Sequence, residues 1–461
     1  MKPVIAVFDI GKTNKKLFLF NELYQIVFEQ SEQFAEITDE DNDVCEDIKK
    51  VTLWVMASLK SIILNSDYKV EAVNFSTYGA SFVLLNEKLE IIAPLYNYLK
   101  PFPENLKSEF YEQYGGESKI AVETASPILG NLNSGMQLYL WKKQKSEMFS
   151  KIKYTLHLPQ YLSSLFTKKY FSDMTSIGCH TALWDFKKND YHDWVKAEKI
   201  DTLLAPIEPS NSAIEINFDE KKILVGVGLH DSSAALIPYL KSFSEPFILI
   251  STGTWCISMN PFNDNPLTAN ELAADCLCYL SYEGKPVKAA RIFGGNEHDT
   301  ETKKIANYFN CADNFYKELS INNYELRITN CESIVETQCL RLHSEFSSRK
   351  LSEFKNPEEA YYQLMVDIVR WQHQSTSLII ENSGIQQIFV DGGFSKNSIY
   401  MHLLARSFPE MKLYAATVAQ STALGAALAV SPFAGQSHGQ LVETELVIPA
   451  NLLQSKKINN D

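Results

Sequence analysis

Two short apolar runs enclose a polar turn at the start of the chain. The runs cover residues 4–8 and 17–20, and the turn between them contains Asp9, Gly11 and Lys12. Short β-branched and aromatic runs around a glycine predict a hairpin of two buried strands. A carboxylate at the end of a strand, followed by backbone N–H, hydroxyl and ammonium groups, suits a metal ion and a polyphosphate. An ordinary hairpin with a polar turn is the alternative.

The same pattern returns in the second half of the chain. Residues 247–250 and 255–259 are apolar, and Ser251-Thr252-Gly253-Thr254 lies between them. Two hairpins of this kind indicate two related domains that face a common ligand. We expect an N-terminal domain over residues 1–232 and a C-terminal domain over residues 233–461.

Between the hairpins, a helix is predicted over 46–65 and a strand over 70–76, and residues 104–200 are mainly helical. The strand ends at Thr77-Tyr78-Gly79-Ala80, and open sheets place ligands at such strand ends. The next segment, Tyr96–Pro103, carries aromatic residues and prolines. It is either part of a binding surface or a rigid surface loop.

A further predicted strand, at residues 223–227, leads to His230 and Asp231 and then to a helix from Ala234. An aspartate at the start of a helix commonly caps it. The competing role for Asp231 is a general base beside an open pocket.

The last quarter of the chain contains a double glycine between a predicted strand, 387–390, and a predicted helix, 398–407. Gly392 and Gly393 allow close backbone approach to a phosphate or a flat ligand. A last helix over 419–430 carries small residues suited to tight packing. Residues from 435 onward are predicted to form a strand remnant and a loose tail.

Four consecutive polar residues, Asn296 to Asp299, resemble a metal cluster in composition only. Neighbouring side chains on one segment cannot all face one ion, so a helix N-cap with a solvated first turn is favoured.

Composition narrows the class of protein. The 461 residues are 45% hydrophobic and 21% charged, which is typical of a globular protein with two large domains. The net charge of −13 argues against nucleic-acid and anionic-membrane partners. The apolar runs are shorter than a membrane span and no signal peptide is evident. Eight scattered cysteines indicate buried, reduced thiols, and we expect a cytoplasmic protein.

Four ordered motifs, each after a predicted strand, resemble the FGGY family of carbohydrate kinases within the actin/sugar-kinase/Hsp70 superfamily. They are FDIGKTNKK at 8–16, GVGLHDSSAAL at 226–236, ISTGTWCIS at 250–258 and VDGGFSKNSIYMHLLA at 390–405. Together with NFSTYGASFVLL at 74–85, they look most like the rhamnulokinase and L-fuculokinase branches. The resemblance implies an α/β fold of two ribonuclease-H-like (actin-like ATPase) domains with an interdomain cleft.

The resemblance also implies roles for individual residues. Asp231 would be the catalytic base, and Asp9 would lie near a magnesium ion. The first phosphate turn would use Gly11, Lys12, Thr13 and Lys16, and the second Thr252, Gly253 and Thr254. Gly392, Gly393 and Asn397 would flank the adenosine of ATP. The sugar site would contain Thr77, Tyr78, Gly79, Ala80, Tyr98 and His230.

Two departures from the family pattern affect the sugar. The sugar loop of the family, often Y-R-D-x-R, is here Tyr96-Asn97-Tyr98-Leu99-Lys100, without the arginine and the acid. The segment Thr77–Ala80 lacks the Trp and Asp of typical rhamnulokinases.

The expected activity is ATP-dependent phosphorylation of a deoxy-ketohexose such as L-rhamnulose or L-fuculose, with Mg²⁺. A kinase for a ketopentose (xylulose or ribulose) or a polyol, and a non-catalytic actin-like protein, are the alternatives. No nucleic-acid or membrane partner is expected, and a homodimer is left open.

Overall fold

The computed structural model of the protein describes residues 1–218, 221–319, 343–380, 384–433 and 441–447. Two mixed β-sheets carry helices on their faces and between them. The strands are β1 (Lys2–Ile10), β2 (Lys15–Phe20), β3 (Ile26–Glu32), β4 (Ile37–Thr38), β5 (Val44–Cys45), β6 (Tyr68–Thr77), β7 (Phe82–Leu85), β8 (Tyr154–His157), β9 (Ser172–Asp173), β10 (Trp184–Asp185), β11 (Asp190–Tyr191), β12 (Ile207–Glu208), β13 (Ala213–Phe218), β14 (Lys221–Gly226), β15 (Leu229–His230), β16 (Phe247–Thr252), β17 (Cys256–Asn260), β18 (Cys276–Leu280), β19 (Pro286–Ile292), β20 (Gln387–Gly392), β21 (Lys412–Thr417) and β22 (Glu443–Leu446).

The helices range from single turns to the six-turn helix α12. They are α1 (Ile48–Leu64), α2 (Glu104–Tyr114), α3 (Glu117–Glu123), α4 (Ser134–Gln144), α5 (Ser146–Phe149), α6 (Leu158–Thr167), α7 (Met174–Ile177), α8 (Asp193–Ala197), α9 (Asp231–Ser242), α10 (Ala269–Ala273), α11 (Gly294–Phe309), α12 (Pro357–Ile380), α13 (Ser398–Ser407) and α14 (Ser421–Val430).

Both sheets repeat one strand pattern. In the first, the order is β13-β14-β6-β1-β2-β3, with β15 also pairing with β6. In the second, the order is β18-β19-β17-β16-β20-β21-β22. The hairpins β1–β2 and β16–β17 are antiparallel, and β1 and β16 each pair in parallel with the strand on their other side, β6 or β20. The two predicted hairpins are therefore confirmed as the equivalent central strands of two related sheets.

Helices α9 and α14 lie between the two sheets. One buried cluster joins Ile5 and Val7 of the first sheet with Phe247 and Leu249 of the second, through apolar residues of both helices. Helix α14 also packs on β1 and β6. At its centre, a Cβ atom on Gly425 would lie 1.8 Å from the carbonyl oxygen of Ala234 on α9. The small residues predicted to suit tight packing in this helix are needed for that approach.

The region 104–200 packs against the second sheet as well as the first. Its core contains the fully buried Trp194 and its aromatic neighbours Phe110 and Tyr139. A Cβ atom on Gly178 would meet the side chain of Leu280 on β18 at 2.5 Å. Contact between the two halves of the chain is therefore close at this edge also.

Most predicted elements are found within a few residues of their expected bounds. The boundary at 232/233 stays a prediction; it falls after the second residue of helix α9. Of the predicted tail, residues 443–446 form β22, and residues 434–440 and 448–461 lie outside the described residues. Within the described part, Cys45, Cys179, Cys256, Cys276 and Cys278 are free and buried, as expected of reduced thiols. A helix long and apolar enough to cross a membrane is absent from that part.

Substitution of Gly425 tests the contact between α14 and α9. Alanine favours a helix by about 1 kcal/mol over glycine, so propensity alone would make Gly425→Ala stabilising. The clash with a backbone carbonyl should instead lower the free energy of unfolding by about 3 kcal/mol, at the upper end of overpacking costs. Urea denaturation followed by circular dichroism measures the change. Gly253→Ala, where an added Cβ atom would meet only the Trp255 carbonyl oxygen at 3.9 Å, is the control, and an unchanged or raised midpoint for Gly425→Ala would contradict the packing argument.

Candidate active site

Asp9 lies near the end of β1, where both neighbouring strands place polar residues beside it. Its partners in register are Lys16 on β2 and Ser76 on β6. The hydroxyl of Thr422, in the first turn of α14, donates a hydrogen bond of 2.9 Å to Asp9 Oδ2. The pKa of Asp9 is raised from 3.8 to about 6, mainly by burial and also by the Asp231 carboxylate, while Thr422 and Lys16 oppose the rise. Asp9 and Asp231 are therefore close enough for their charges to interact.

In the predicted first phosphate turn, Lys12 and Lys16 form ion pairs with different residues. It is closed by a hydrogen bond of 2.9 Å from the Gly11 N–H to the Asn14 carbonyl. Lys16 Nζ pairs with Glu29 at 3.3 Å. Lys12 Nζ lies 3.3 Å from the buried carboxylate of Glu46. The same ammonium lies 5.9 and 6.0 Å from the ring centroids of Tyr78 and Tyr98.

Lys12 thus contacts residues that the sequence assigns to the sugar site. Thr13 is exposed and lines, with Lys12 and Glu46, a cavity of about 330 Å³. The sequence analysis did not single out Glu46, because nothing in its local pattern distinguishes it from other acidic residues.

The predicted sugar residues meet at the carboxyl ends of β6 and β15. His230 pairs with Thr77 in the strand register, and a Cβ atom on Gly79 would lie 2.8 Å from the His230 ring. Ala80 accepts a hydrogen bond of 2.7 Å from Gln137 Nε2 through its carbonyl. The His230 ring is buried; its Nε2 lies 3.3 Å from Cys179 Sγ, and its Nδ1 has no partner among the described residues.

Asp231 is the first residue of α9 and is not the N-cap. The N-cap is His230, which makes no side-chain capping bond. Asp231 Oδ1 accepts a 2.6 Å hydrogen bond from the N–H of the adjacent Ser232 and lies 3.4 Å from His230 Nε2. Burial raises the pKa of Tyr98, and the charges of Asp231 and Glu46 raise it further. Tyr98 is therefore a neighbour of Asp231, as the sequence anticipates for the sugar site.

The predicted second phosphate turn, residues 252–254, is hydrogen-bonded to the segment that contains the double glycine, Gly392 and Gly393. The Thr252 hydroxyl donates to the Asp391 carbonyl at 2.6 Å and accepts from the Phe394 N–H at 3.0 Å. The Thr252 carbonyl accepts the N–H of Gly393 at 2.9 Å. Gly392 has φ +93°, and a Cβ atom there would lie 2.0 Å from the Thr252 carbonyl oxygen. The Thr252 hydroxyl thus holds the turn in place, whereas Gly253 and Thr254 are exposed.

A cavity of about 500 Å³ opens beside this turn. The residues that line it come from the second half of the chain: Thr252, Gly253, Thr254, Gly295, His298, Asp299, Tyr316, Lys317, Leu319, Gly393, Phe394, Lys396, Asn397 and Ser398. Five of the predicted nucleotide residues are brought together here. The side chain of Asn397 accepts the N–H groups of Ile399 and Tyr400 and donates to the Tyr361 hydroxyl at 2.8 Å.

The prediction of an N-cap and a solvated turn at Asn296–Asp299 is wrong. Helix α11 begins at Gly294 with Phe293 as its N-cap, so these residues lie inside the first turns. Glu297 is buried and accepts the Ser344 N–H, while His298 Nε2 lies 3.1 Å from the Tyr361 hydroxyl. Their buried partners come from later segments of the chain, which local polarity does not reveal.

Helix α9 connects the predicted sugar-site residues with the predicted nucleotide-site residues. Its first residue is Asp231, and the hydroxyl of Tyr239 donates to Asp391 Oδ2 at 3.0 Å. Eight residues of α-helix extend about 12 Å, so the carboxylate and the loop after β20 are separated by roughly that distance along the helix. The guanidinium of Arg291 lies 5.1 Å from the centroid of the indole of Trp255, which follows the second turn. Neither of these residues nor Thr422 was predicted as a site residue.

Two related sheets with a site assembled around the helices between them are typical of sugar kinases with the actin-like fold. Residues 4–236 match the FGGY family of carbohydrate kinases, N-terminal domain, and residues 244–438 match the Carbohydrate kinase FGGY, C-terminal domain. The chain belongs to the FGGY family of carbohydrate kinases.

The known proteins that resemble this chain have low sequence identity to it. A rhamnulokinase of Oceanobacillus iheyensis is 24% identical over 267 residues, which are 54% of this chain and 54% of that protein. The matched part thus spans about half the length of this relative. A carbohydrate kinase of Novosphingobium aromaticivorans covers 100% of this chain, and 99% of its own, with a TM-score of 0.76 and 21% identity. Plasmodium falciparum glycerol kinase with ADP covers 99% of this chain, and 96% of its own, with a TM-score of 0.73 and 14% identity.

The raised pKa of Asp9 predicts a pH-dependent stability. The folded protein holds this proton more tightly than the unfolded chain between pH 3.8 and about 6, so stability falls as the pH rises through that window. Asp9→Asn keeps an oxygen for Thr422 but carries no charge. At pH 7 the variant should be more stable than the wild type by up to about 3 kcal/mol, and the difference should shrink towards pH 4.

Thermal unfolding at a series of pH values measures this difference. Glu22→Gln, which alters an exposed carboxylate between β2 and β3, is the control and should leave the profile unchanged. Equal stability of the wild type and Asp9→Asn at pH 7 would show that burial of the Asp9 carboxylate does not destabilise the folded protein.

Proposed function

We propose that this chain is an ATP-dependent sugar kinase that phosphorylates a hydroxyl of a small sugar. The observation that carries the proposal is the carboxylate of Asp231, which is partly exposed at the end of β15 and close to Asp9 and Tyr98. Its position at the start of α9, without a capping role, leaves an oxygen for an acceptor hydroxyl. Membership of the FGGY family supports the same activity.

In this proposal Asp231 acts as the general base. Its carboxylate accepts the proton of the acceptor hydroxyl as that oxygen bonds to the γ-phosphorus, and the bond to the bridging oxygen of ADP breaks. His230, packed on Gly79, would orient the acceptor beside Asp231. Positioning matters more than basicity here, because charge moves onto the phosphoryl group as transfer proceeds.

Asp9 is proposed to hold the metal side of the site. The pKa of Asp9 is raised by its burial and by the neighbouring Asp231 carboxylate, and this set of oxygen donors fits Mg²⁺. When bound with ATP, Mg²⁺ would spread charge away from the transferred phosphoryl group. Lys16, in register with Asp9, would supply a nearby ammonium group.

The cavity beside Gly253 and Gly393 is the proposed nucleotide site. The Gly253 N–H donates to the Trp255 carbonyl at 2.9 Å, so the exposed Thr254 beside it would face the phosphate oxygens, and the 500 Å³ volume suits a nucleoside. The fold resembles that of a glycerol kinase solved with ADP, which agrees with this assignment. Thr252 and Asn397 would then shape the site through bonds to the backbone and not through free side-chain groups.

The proposed acceptor is a deoxy-ketohexose such as L-rhamnulose or L-fuculose. Tyr78 and Tyr98 provide an aromatic surface near Asp231, which suits an apolar methyl end of a sugar. The match to a protein named rhamnulokinase points in the same direction. A ketopentose or a polyol is the alternative acceptor.

A screen of acceptors tests the proposed function. ADP release, coupled to NADH oxidation, is measured with L-rhamnulose, L-fuculose, L- and D-ribulose, D-xylulose and glycerol, at saturating Mg²⁺ and ATP. We expect the highest kcat/KM with a deoxy-ketohexose. A higher value with a pentulose or glycerol would move the substrate to the alternative class. The absence of release with every sugar, in protein that binds ATP, would refute the kinase proposal.

Asp231→Asn tests the general base. Loss of a general base typically costs 10²–10⁴-fold, so kcat should fall by about a hundredfold or more. ATP affinity, measured by calorimetry, should be unchanged because the nucleotide cavity is lined by other residues. Asp264→Asn, the same change at an exposed aspartate between β17 and α10, is the control. Retention of most activity in Asp231→Asn would remove Asp231 from this role.

A further inference from the structure

The ammonium group of Lys100 lies at the centre of three carboxylates. Its Nζ is 2.9 Å from Asp39 Oδ2, 2.7 Å from Asp41 Oδ2 and 2.8 Å from Asp43 Oδ2. The three aspartates alternate along the turn between β4 and β5, which we call the acidic turn (residues 39–43). Alternating carboxylates on a tight turn are how calcium loops surround their ion. Here an internal ammonium group occupies that position.

The acidic turn is ordered around this ammonium group. Asp39 Oδ1 accepts the backbone N–H of Asp41 at 2.8 Å and of Asp43 at 3.0 Å, which fixes the turn. Burial alone would raise the pKa of Asp39, but the hydrogen bonds from Lys100 and from these two N–H groups hold it below its ordinary value. The pKa of Lys100 is raised because its three acidic partners outweigh its burial. The group therefore stays ionised at neutral pH.

This arrangement accounts for the departure of residues 96–100 from the family's sugar loop. A lysine at position 100 would be expected to reach sugar hydroxyls, but its three N–H donors are directed at the acidic turn. The other end of the segment is also attached, because the Tyr96 hydroxyl donates to Glu40 at 2.5 Å. The Lys100 carbonyl accepts a third bond, from Asn131 Nδ2 at 2.8 Å. Both ends of the segment are thus held by the same turn.

Tyr98 lies between these two attachments and faces the candidate acceptor site. Its ring centroid is 6.0 Å from that of Tyr78, and Lys12 Nζ lies 6.0 Å from it. Tyr78 is adjacent to Gly79, on which the His230 ring packs. A change in the position of Lys100 would therefore be transmitted to an aromatic wall beside His230 and Asp231.

We propose that Lys100 is a positioning residue that binds the acidic turn and so holds Tyr98 as an aromatic wall of the acceptor pocket. The proposal rests on the proposed sugar-kinase function. It deepens that function by assigning acceptor specificity to a ring and not to the charged groups of the family's sugar loop. An aromatic ring favours the apolar edge of an acceptor, such as the methyl group of a deoxy sugar, over an added hydroxyl.

Kinetics of Lys100→Ala test the positioning role. Loss of an ordered aromatic contact should raise the KM for the acceptor about tenfold, while the KM for ATP stays constant. Lys100→Arg, which keeps the charge, should restore most of the affinity. Lys143→Ala removes a lysine with a surface partner, Glu109 at 2.7 Å, and should change neither KM. Equal rises of both KM values, or no rise for the acceptor, would overturn the proposal.

A double-mutant cycle with Tyr98→Ala links the two residues. If Lys100 acts through Tyr98, Tyr98→Ala should raise the acceptor KM to the same extent as Lys100→Ala. The double variant should then be no worse than either single variant. Additive effects would show that Lys100 acts on the site by another route.

Calcium provides a measurement that does not depend on activity. Lys100→Ala leaves three carboxylates converging on an empty position, so millimolar Ca²⁺ should raise its melting temperature and not that of the wild type or of Lys143→Ala. Hydrogen exchange of residues 39–43 and 96–100 should quicken in the variant and slow again with Ca²⁺. If Lys100→Ala does not fold, Asp41→Asn, which removes one of the three carboxylates but leaves Lys100 paired with Asp39 and Asp43, should give a smaller acceptor-specific rise in KM. Unchanged exchange in both segments would show that Lys100 does not hold them together.

The two proposals fail in distinguishable ways. A wild-type protein that phosphorylates no sugar would refute the proposed function and with it the role of Tyr98, while hydrogen exchange would still decide whether Lys100 holds residues 96–100 on the acidic turn. Active wild-type protein with an unaltered acceptor KM in Lys100→Ala would refute the positioning role alone.

Discussion

Helix α14 lies so close to helix α9 that residue 425 can carry no side chain. Its backbone approaches the carbonyl of Ala234 at a distance that leaves no space for even a Cβ atom. This contact seats α14 against β1 and β6, where the amide of Asn74 also donates to the Ala426 carbonyl at 2.8 Å. It therefore brings Thr422, from the end of the chain, within a hydrogen bond of Asp9 near its beginning. The position of the candidate metal carboxylate thus depends on the packing of two helices from opposite halves of the protein.

The packing of α14 on α9 also brings two carboxylates, Asp9 and Asp231, close together in the candidate site. Asp9 is enclosed by β2, β6 and α14, and the second carboxylate, Asp231, begins the helix on which α14 lies. Burial is the larger cause of the raised pKa of Asp9, and the neighbouring charge adds to it. In the proposed kinase, a cation bound at Asp9 would offset this cost of burial and so add to the affinity for the metal–nucleotide complex.

The sequence predicted well those features that are encoded locally. The hairpins at Val4–Phe20 and Phe247–Met259 follow from short apolar runs around Gly and Thr, and the double glycine from its place between a strand and a helix. Side-chain partners were not predictable, because they lie far away along the chain. Lys12 pairs with Glu46 and lies near Tyr78 and Tyr98. The hydroxyl of Thr252 donates to the Asp391 carbonyl, and Asn397 caps helix α13. Glu297 and His298 are buried by segments whose positions only the folded chain defines.

In the proposed acceptor pocket, the loop at 96–100 would take the place of the family's sugar loop through a different kind of contact. Arginine and acid at this loop would recognise sugar hydroxyls by hydrogen bonds, which discriminate strongly because an unmatched buried polar group is costly. Tyr98 would offer a larger contact area than the acid but no such hydrogen-bond discrimination. The charge of Lys100 orders the backbone of the acidic turn. In the proposed acceptor pocket the loop would contribute shape, because the Lys100 ammonium group is held by three carboxylates, and Asp231 and His230 would contribute polarity. Acceptor choice by such a pocket would depend on the fit of an apolar edge, and that favours sugars that lack a hydroxyl there.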